Sequence, residues 1–572
     1  MKHHLISIVL ASLLVTCNEG MAQNTSSDFA DLILINGRVW LGADQSSFVE
    51  AVAIRGNTIT QVGNTVDIRK LADRYAIVVD LNGRLVTAGF NDSHIHFLSG
   101  SLGLSQVELT GAKTLDEVVS HISEFATKNP DRKWITGSGW QYTMFAGGLP
   151  TKKTLDAIIT DRPIFIKAYD GHSGWANSKA LELAGINREY IFSGFGEVVR
   201  DSKGEPTGAL KEGAQSLVSR MIPEPTRAEN LDALRLGMKL TSSLGITTMQ
   251  NASGNAEEFS LYEELFVKGE LKARVSMAFS VNAATTMSDI DVYKKLKDRI
   301  GYHPFLRANS VKFMLDGVIE THTGAMLNRY SDATQGELLP SGELALPLDR
   351  YRELVTTFDK LGFQIFTHAI GDRAVREALN AYEYAHSINK TSMERHRIEH
   401  IETISTEDMP RFAQLGVIAS MEPIHAYPET VAVWSKAIGT ERLPNSFAWA
   451  ALLKNKASLV FSSDWPACVS LDPIRGLHTA VNRRTIDGKP PLGWVPEQKI
   501  SMSDAMMAYT KAGAYSSGDE NEKGTIVSGQ VADLIVLSQD LFSMDPMKIH
   551  ETRVVMTILD GKIIYKNKAL FK

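Results

Sequence analysis

Two histidines stand one residue apart in "AGFNDSHIHFLSG", residues 88–100: His94 and His96. In an extended strand, residues i and i+2 point to the same face. The pair therefore offers two imidazoles side by side, behind the apolar run 85–90. Similar groups end other apolar runs: His368 in "FQIFTHAIG", His400 in "HRIEHIE" and Asp464 in "SLVFSSDWP", while Lys312 lies inside "NSVKFMLDG". Imidazole and carboxylate are the donors preferred by zinc and its neighbouring divalent ions. Taken alone, His400 reads as a hydrogen-bonded core residue, and Asp464 after "FSS" as a helix cap. Together, at matching strand ends, these residues point to a metal centre. Lys312 is the odd member, because an ammonium repels a cation. A lysine that has reacted with CO₂ is an anionic carbamate able to bridge two ions; an ordinary lysine would be ion-paired with Asp316 or another nearby carboxylate.

Something must bring these groups to one place. Eight segments read as strands: "RLVTAGFNDSHIH", "GITTMQN", "RVSMAFSV", "NSVKFMLDG", "FQIFTHAIG", "HRIEHIE", "GVIASMEP" and "SLVFSSDWP". Helical stretches such as "RAVREALNAYEYAHSI" separate them, which predicts an α/β fold of repeated βα units. Eight parallel strands suggest a closed (β/α)8 TIM barrel over about 85–510, with chemistry at the C-terminal strand ends. A long insertion, about 101–240, follows the first strand and has strand-like pieces of its own. The flanks, 23–84 and 511–572, read as short strands. Asn36-Gly37, Gly56-Asn57, Asn82-Gly83 and Asp560-Gly561 supply the positive φ of two-residue hairpin turns. The two flanks are expected to pair into one small β-sandwich, built from both chain ends, that carries the barrel between its halves.

The 572 residues carry a net charge of −6, with 44% hydrophobic and 22% charged residues. This is globular composition, and no basic block suggests a nucleic-acid partner. Residues 1–22 read differently. Lys2, His3 and His4 precede the apolar run 5–15, and Gly20-Met21-Ala22 follows. That is a signal peptide cut after Ala22, with a run too short for a permanent membrane span. A periplasmic or secreted protein is expected; the alternative is a lipoprotein anchored at Cys17. Cys17 and Cys468 are the only cysteines, so the processed chain has no intrachain disulfide, and Cys468 reads as a small buried residue.

The motifs "GFNDSHIHF", "DGHSGWANSKAL", "VKFMLDGVIETHTGAM", "FTHAIGDRAV", "RIEHIE" and "SSDWP", in this order, resemble the metal-dependent amidohydrolase superfamily. Within it they are most similar to the amidohydrolase family 3 branch, which includes N-substituted formamide deformylases. The resemblance spans roughly 30–570 and implies a distorted barrel of this type. It implies that His94, His96 and Asp464 hold the more buried of one or two divalent ions, with zinc expected. It further implies that Lys312, as N6-carboxylysine, bridges to a second ion held by His368 and His400. The reaction implied is hydrolysis of an amide or N-acyl amine by a metal-bound hydroxide, with Asp464 passing a proton to the departing nitrogen. His172, Trp140, His322, Glu212 and His425 are candidates for contacting a small-molecule amide substrate, with plain packing as the other reading of His172 and Trp140. Asp372 and Arg373 read as a helix cap or a loop anchor. A hydrolase of cyclic amides, esters or lactones and a non-catalytic member of the fold are the alternatives. A dimer is one oligomeric state this reading allows.

Overall fold

The computed structural model describes residues 29–570 except 45, 110, 146–147, 169–172, 194–195, 321, 337–338, 392–394, 430 and 469. The expected leader 1–22 with Cys17, and His172, lie outside the described residues. Among the described residues no helix is long and apolar enough to cross a membrane.

Eight strands follow one another around a parallel sheet in chain order: β1 Phe90–Ile95, β2 Ile246–Gly254, β3 Arg274–Val281, β4 Leu306–Met314, β5 Gln364–Ala369, β6 Arg397–His400, β7 Ile418–Met421 and β8 Ser458–Phe461. Each overlaps a segment that reads as a strand in the sequence; β2 runs on to Gly254 and β4 begins early, at Leu306. Their apolar, β-branched runs are buried along most of their length, β1, β5 and β7 without a break, as a sheet enclosed by helices requires. The helices carry the matching stripe. Leu348–Lys360 buries Tyr351, Leu354, Val355 and Phe358, the i, i+3, i+4, i+7 face of an amphipathic helix.

β8 and β1 meet without a regular ladder. Side chains and the strand ends close this seam. Asp464 N–H donates to the His94 carbonyl (2.8 Å). Asp92 accepts Ser463 N–H (3.0 Å) and Ser463 Oγ (2.6 Å). The seam thus pins the backbone of His94 to that of Asp464, although 370 residues separate them.

The first predicted strand proves to be two. Leu85–Ala88 leaves the barrel and pairs with Arg38–Trp40 and Leu534–Leu537, and β1 starts at Phe90. The break is at Gly89, where a Cβ would stand 2.3 Å from Thr247 Oγ1. Two of the four turn pairs also differ from expectation. Gly56-Asn57 and Asp560-Gly561 connect antiparallel neighbours. Asn36-Gly37 and Asn82-Gly83 instead carry the chain from one sheet to another. Asn36 and Asn82 do have the positive φ that was read (56° and 47°), but a turn dipeptide specifies local dihedrals and not the next strand's partner.

The four-stranded and six-stranded sheets of the flanks share a core in which Leu32, Val52 and Ile54 meet Val86, Leu534, Val536 and Ile558. Arg274, buried at the start of β3, joins this unit to the barrel through Asp533 (2.6 Å) and Asp560 (3.1 Å). The helix Lys511–Ser516, counted with the C-terminal flank in the sequence, packs on the barrel floor. There Gln250 reaches Ser516 Oγ (2.7 Å), and Gln364 at the start of β5 reaches the Ser516 carbonyl (2.8 Å). The insertion between β1 and β2 forms its own six-stranded sheet, from Val107–Glu108 to Pro206–Glu212.

Candidate metal centre

The C-terminal ends of β1, β5 and β6 and the turn after β8 converge. His94 Nδ1 lies 2.6 Å from Glu399 Oε2, which fixes that nitrogen as the donor and turns Nε2 inward. Nε2 lies 3.4 Å from Asp464 Oδ1. His96 Nδ1 meets Ser253 Oγ (3.2 Å), and its Nε2 is 3.1 Å from the same Asp464 oxygen. His400 repeats the arrangement of His94, with Nδ1 on Glu422 Oε2 (2.9 Å). Ligand atoms of His94, His400 and Asp464 lie within 4.8 Å of one another. The His368 ring is 4.5 Å from that of His400, with Nε2 on the Gly317 carbonyl (3.1 Å). A carboxylate behind His94 and His400 and a carbonyl behind His368 are the arrangement that orients histidines toward a metal; His96 has a serine hydroxyl in that place.

Backbone strain assists the convergence. His400, Ile401 and Asp464 have φ of 74°, 49° and 57°, a region that L-residues, β-branched ones above all, seldom occupy. In a regular strand Glu399 and His400 would face opposite sides. The positive φ at the end of β6 turns His400 over the rim, so both reach the centre.

Behind the ligands lies a buried charge network. Arg397 donates to Glu399 Oε1 (2.8 Å) and Oε2 (2.9 Å), to Ser93 O (2.6 Å), to Ser420 Oγ (2.8 Å) and to Gln250 Oε1. Its guanidinium stacks on Phe366. Ser462 Oγ donates to Glu422 (2.9 Å). Burial pushes the Glu422 carboxyl up to about 8. Asp316 accepts three backbone N–H groups, from Ala325, Ile370 and Gly371, and so ties the loops after β4 and β5 together.

The electrostatics favour a cation. Burial, then the Lys312 charge, hold His94 well below the ordinary histidine range; burial takes His400 down to about 4. Both are therefore neutral, the form that binds metal. Asp464 is held low: burial opposes ionisation, but His96, His94, His400 and His425 outweigh it. Lys312 is buried, with Nζ 3.3 Å from His94 Nε2. It is not paired with Asp316, whose oxygens are taken by the three N–H groups. Burial lowers its pKa.

The residues fit a divalent ion. Asp464 Oδ1 is buried and, despite two imidazole nitrogens within 3.4 Å, accepts no aligned hydrogen bond. A carboxylate oxygen facing inward-pointing Nε2 atoms in that state is a ligand set.

The remaining predicted residues divide. His425 joins the centre: its Nε2 is 3.6 Å from Asp464 Oδ2 and its Nδ1 3.7 Å from Glu402 Oε1. Burial lowers His425, but the Glu402 hydrogen bond and the Glu422 and Asp464 charges raise it to about 9. His322 lies outside, stacked on Tyr330 with Nε2 on Asp332 (2.9 Å). Trp140 is a core residue of the insertion, fully buried with Nε1 on the Ile166 carbonyl (2.9 Å). Glu212 ends the strand Pro206–Glu212 of the insertion. Asp372 holds the loop after β4 through Leu327 N–H (2.7 Å). Glu399, Glu422, Glu402 and Arg397 were not singled out from the sequence. The recurring "E-H-I-E" and "E-P-I-H" spacings were the available signal.

Comparison with known proteins agrees with this geometry. The amidohydrolase family pattern matches residues 77–565. The N-substituted formamide deformylase of Arthrobacter pascens is 26% identical, covering 94% of this chain and 98% of its own. Protein LONG AFTER FAR-RED 3 of Arabidopsis thaliana is 29% identical, over 94% of this chain and 92% of its own. The crystal structure of an uncharacterized metal-dependent hydrolase from Pyrococcus furiosus superposes with a TM-score of 0.72 at 25% identity, covering 90% of this chain and all of that one.

Proposed function

Since the chain belongs to the amidohydrolase family and is a metal-dependent hydrolase of C–N bonds, we propose that it cleaves an amide or N-acyl amine at the centre built on Asp464. The observation that carries the reading is the buried Asp464 Oδ1 within 3.4 Å of two inward-facing imidazole nitrogens. His94, His96 and Asp464 would hold one ion, zinc by the donor set. Lys312, as N6-carboxylysine, would share a second with His368 and His400. When bound, the metal supplies a lowered pKa for water and polarisation of the carbonyl.

The protein's own groups do the rest. Glu399 and Glu422 keep His94 and His400 in the tautomer that presents Nε2. Asp464 Oδ2, on the side facing His425, takes a proton from the attacking water and returns it to the departing nitrogen, which is a poor leaving group until protonated. His425, positively charged and beside that oxygen, is placed to hold the substrate carbonyl. Kinship to the formamide deformylase supports an N-acyl amine, and the basic start, apolar run and Gly20-Met21-Ala22 support export. A panel of N-formyl and N-acetyl amines beside matched esters tests the bond class by amine release. Faster turnover of the esters, or none of the amides, would contradict the reading.

The bridge has its own test. Lys312 sits in an apolar wall, where the neutral amine that reacts with CO₂ is favoured. Lys312→Ala is expected to lose one of two metal equivalents and most activity. A short carboxylic acid in the buffer should restore part by occupying the gap. Full metal content and rate in the variant would rule the bridge out.

A further inference from the structure

The helix Ala256–Val267 starts at Asn255, whose side chain accepts the Glu258 N–H (2.9 Å). A glutamate at that position ordinarily reaches back to the cap residue's own N–H and closes a capping box. Glu117 and Glu229 do so at two other helices. Glu258 does not. Its carboxyl turns inward, and Oε1 accepts both the Tyr262 hydroxyl (2.8 Å) and Asn251 Nδ2 (3.0 Å). Among the described residues no hydrogen-bond donor reaches Oε2.

Glu258 borders a cavity of about 590 Å³ shared with His96, Leu98, Leu102, Pro466 and Ala467. The cavity meets the metal centre at His96. The His96 side chain is 28% exposed where that of His94 is fully buried, and Pro466 and Ala467 come just after Asp464 and Trp465 in the chain. The rest of the lining is Ser99 and Ser253, so among the described residues Glu258 is its one acidic side chain and no lysine or arginine faces it. Burial pushes the Glu258 carboxyl up to about 7 against its two hydrogen bonds. Of the groups around it only the His96 imidazole favours the charged form electrostatically, and a cation in the cavity would supply a direct counter-charge.

We infer that this cavity is a subsite for a cationic nitrogen carried on an apolar part of the substrate, and that Glu258 selects for it. The inference rests on the reading of the chain as an amide hydrolase and names which amides it prefers: acylated amines bearing a second, protonated nitrogen. The leucines and Pro466 suit a hydrocarbon spacer, and a remote carboxylate would meet Glu258 with no cation in the lining to offset it.

The test compares kcat/KM for N-acyl alkylamines of matched length ending in ammonium, methyl or carboxylate. It is run at about pH 8, where the carboxyl is ionised. The ammonium compound should exceed the methyl compound by about ten- to hundred-fold, the worth of a hydrogen bond to a charged group. Glu258→Gln should collapse that ratio, mainly through KM, and Glu258→Lys should favour the carboxylate compound. A purely positioning role is distinguishable. Asn251, held by Glu258, accepts Phe97 N–H (2.8 Å) beside His96, so loss of positioning would slow all three compounds alike and leave the ratio intact. Equal rates for ammonium and methyl in the wild type, or a ratio that survives Glu258→Gln, would overturn the subsite. Calorimetric binding of the three intact amides to the Asp464→Asn variant reads the same preference without turnover. Hydrolysis of none of the three would count against the amide reading, whereas equal affinity for the ammonium-ended and methyl-ended amides would overturn this inference.

Discussion

Asp464→Asn is expected to lower kcat by on the order of 10²-fold or more, the usual contribution of a positioned acid–base group. The amide keeps the shape and the backbone contact of Asp464 N–H to His94 O, so the seam between β8 and β1 survives and the fold with it. What is lost is the charge that four imidazole neighbours stabilise and the capacity to carry a proton. KM should change far less than kcat, because the residue acts on the reacting atoms and not on remote parts of the substrate. Near-normal turnover in this variant would remove Asp464 from the chemistry.

The second large effect is on stability. Arg397 is fully buried, yet it makes hydrogen bonds to Glu399, Ser93, Ser420 and Gln250. Arg397→Met would leave the Glu399 charge buried alone, and breaking such a pair costs roughly 3–5 kcal/mol. Glu399 would also lose its hold on His94, and disturbing a group behind a metal ligand typically weakens metal affinity by about 10–100-fold. Arg397→Met with Glu399→Leu separates the two. Removing both charges should recover much of the stability, while His94 still lacks its Nδ1 acceptor and metal binding stays weak. Urea unfolding of the metal-free protein beside a metal titration of each variant measures both quantities. A double variant no more stable than Arg397→Met would contradict the account of the pair.

The ligand set was legible because barrel chemistry sits at strand ends and each strand announces itself as an apolar run. His94, His96, His368, His400 and Asp464 could be singled out as candidates that way. Their supports could not. Glu399 lies next to His400 in a strand, and alternation puts neighbours on opposite faces; only the positive φ at His400 and Ile401 brings both to the centre. Glu258 follows Asn255 at the spacing of an ordinary cap, and nothing local says that it turns inward. Trp140 looks the same in sequence whether it lines a pocket or fills a core, and the Ile166 carbonyl that takes its N–H decides for the core. The run 84–96 reads as one strand because its apolar pattern is continuous; the break at Gly89 reflects contact with Thr247, more than 150 residues away.

The central claim is that a divalent metal bound by His94, His96 and Asp464 is the working part of this enzyme. Anomalous diffraction from crystals of the active protein, recorded across the transition-metal absorption edges, tests it most directly. The account predicts a peak in bonding contact with His94 Nε2, His96 Nε2 and an Asp464 oxygen, and a second beside Lys312, His368 and His400 if the bridge is present. Fully active protein with no peak at His94, His96 and Asp464 would contradict it.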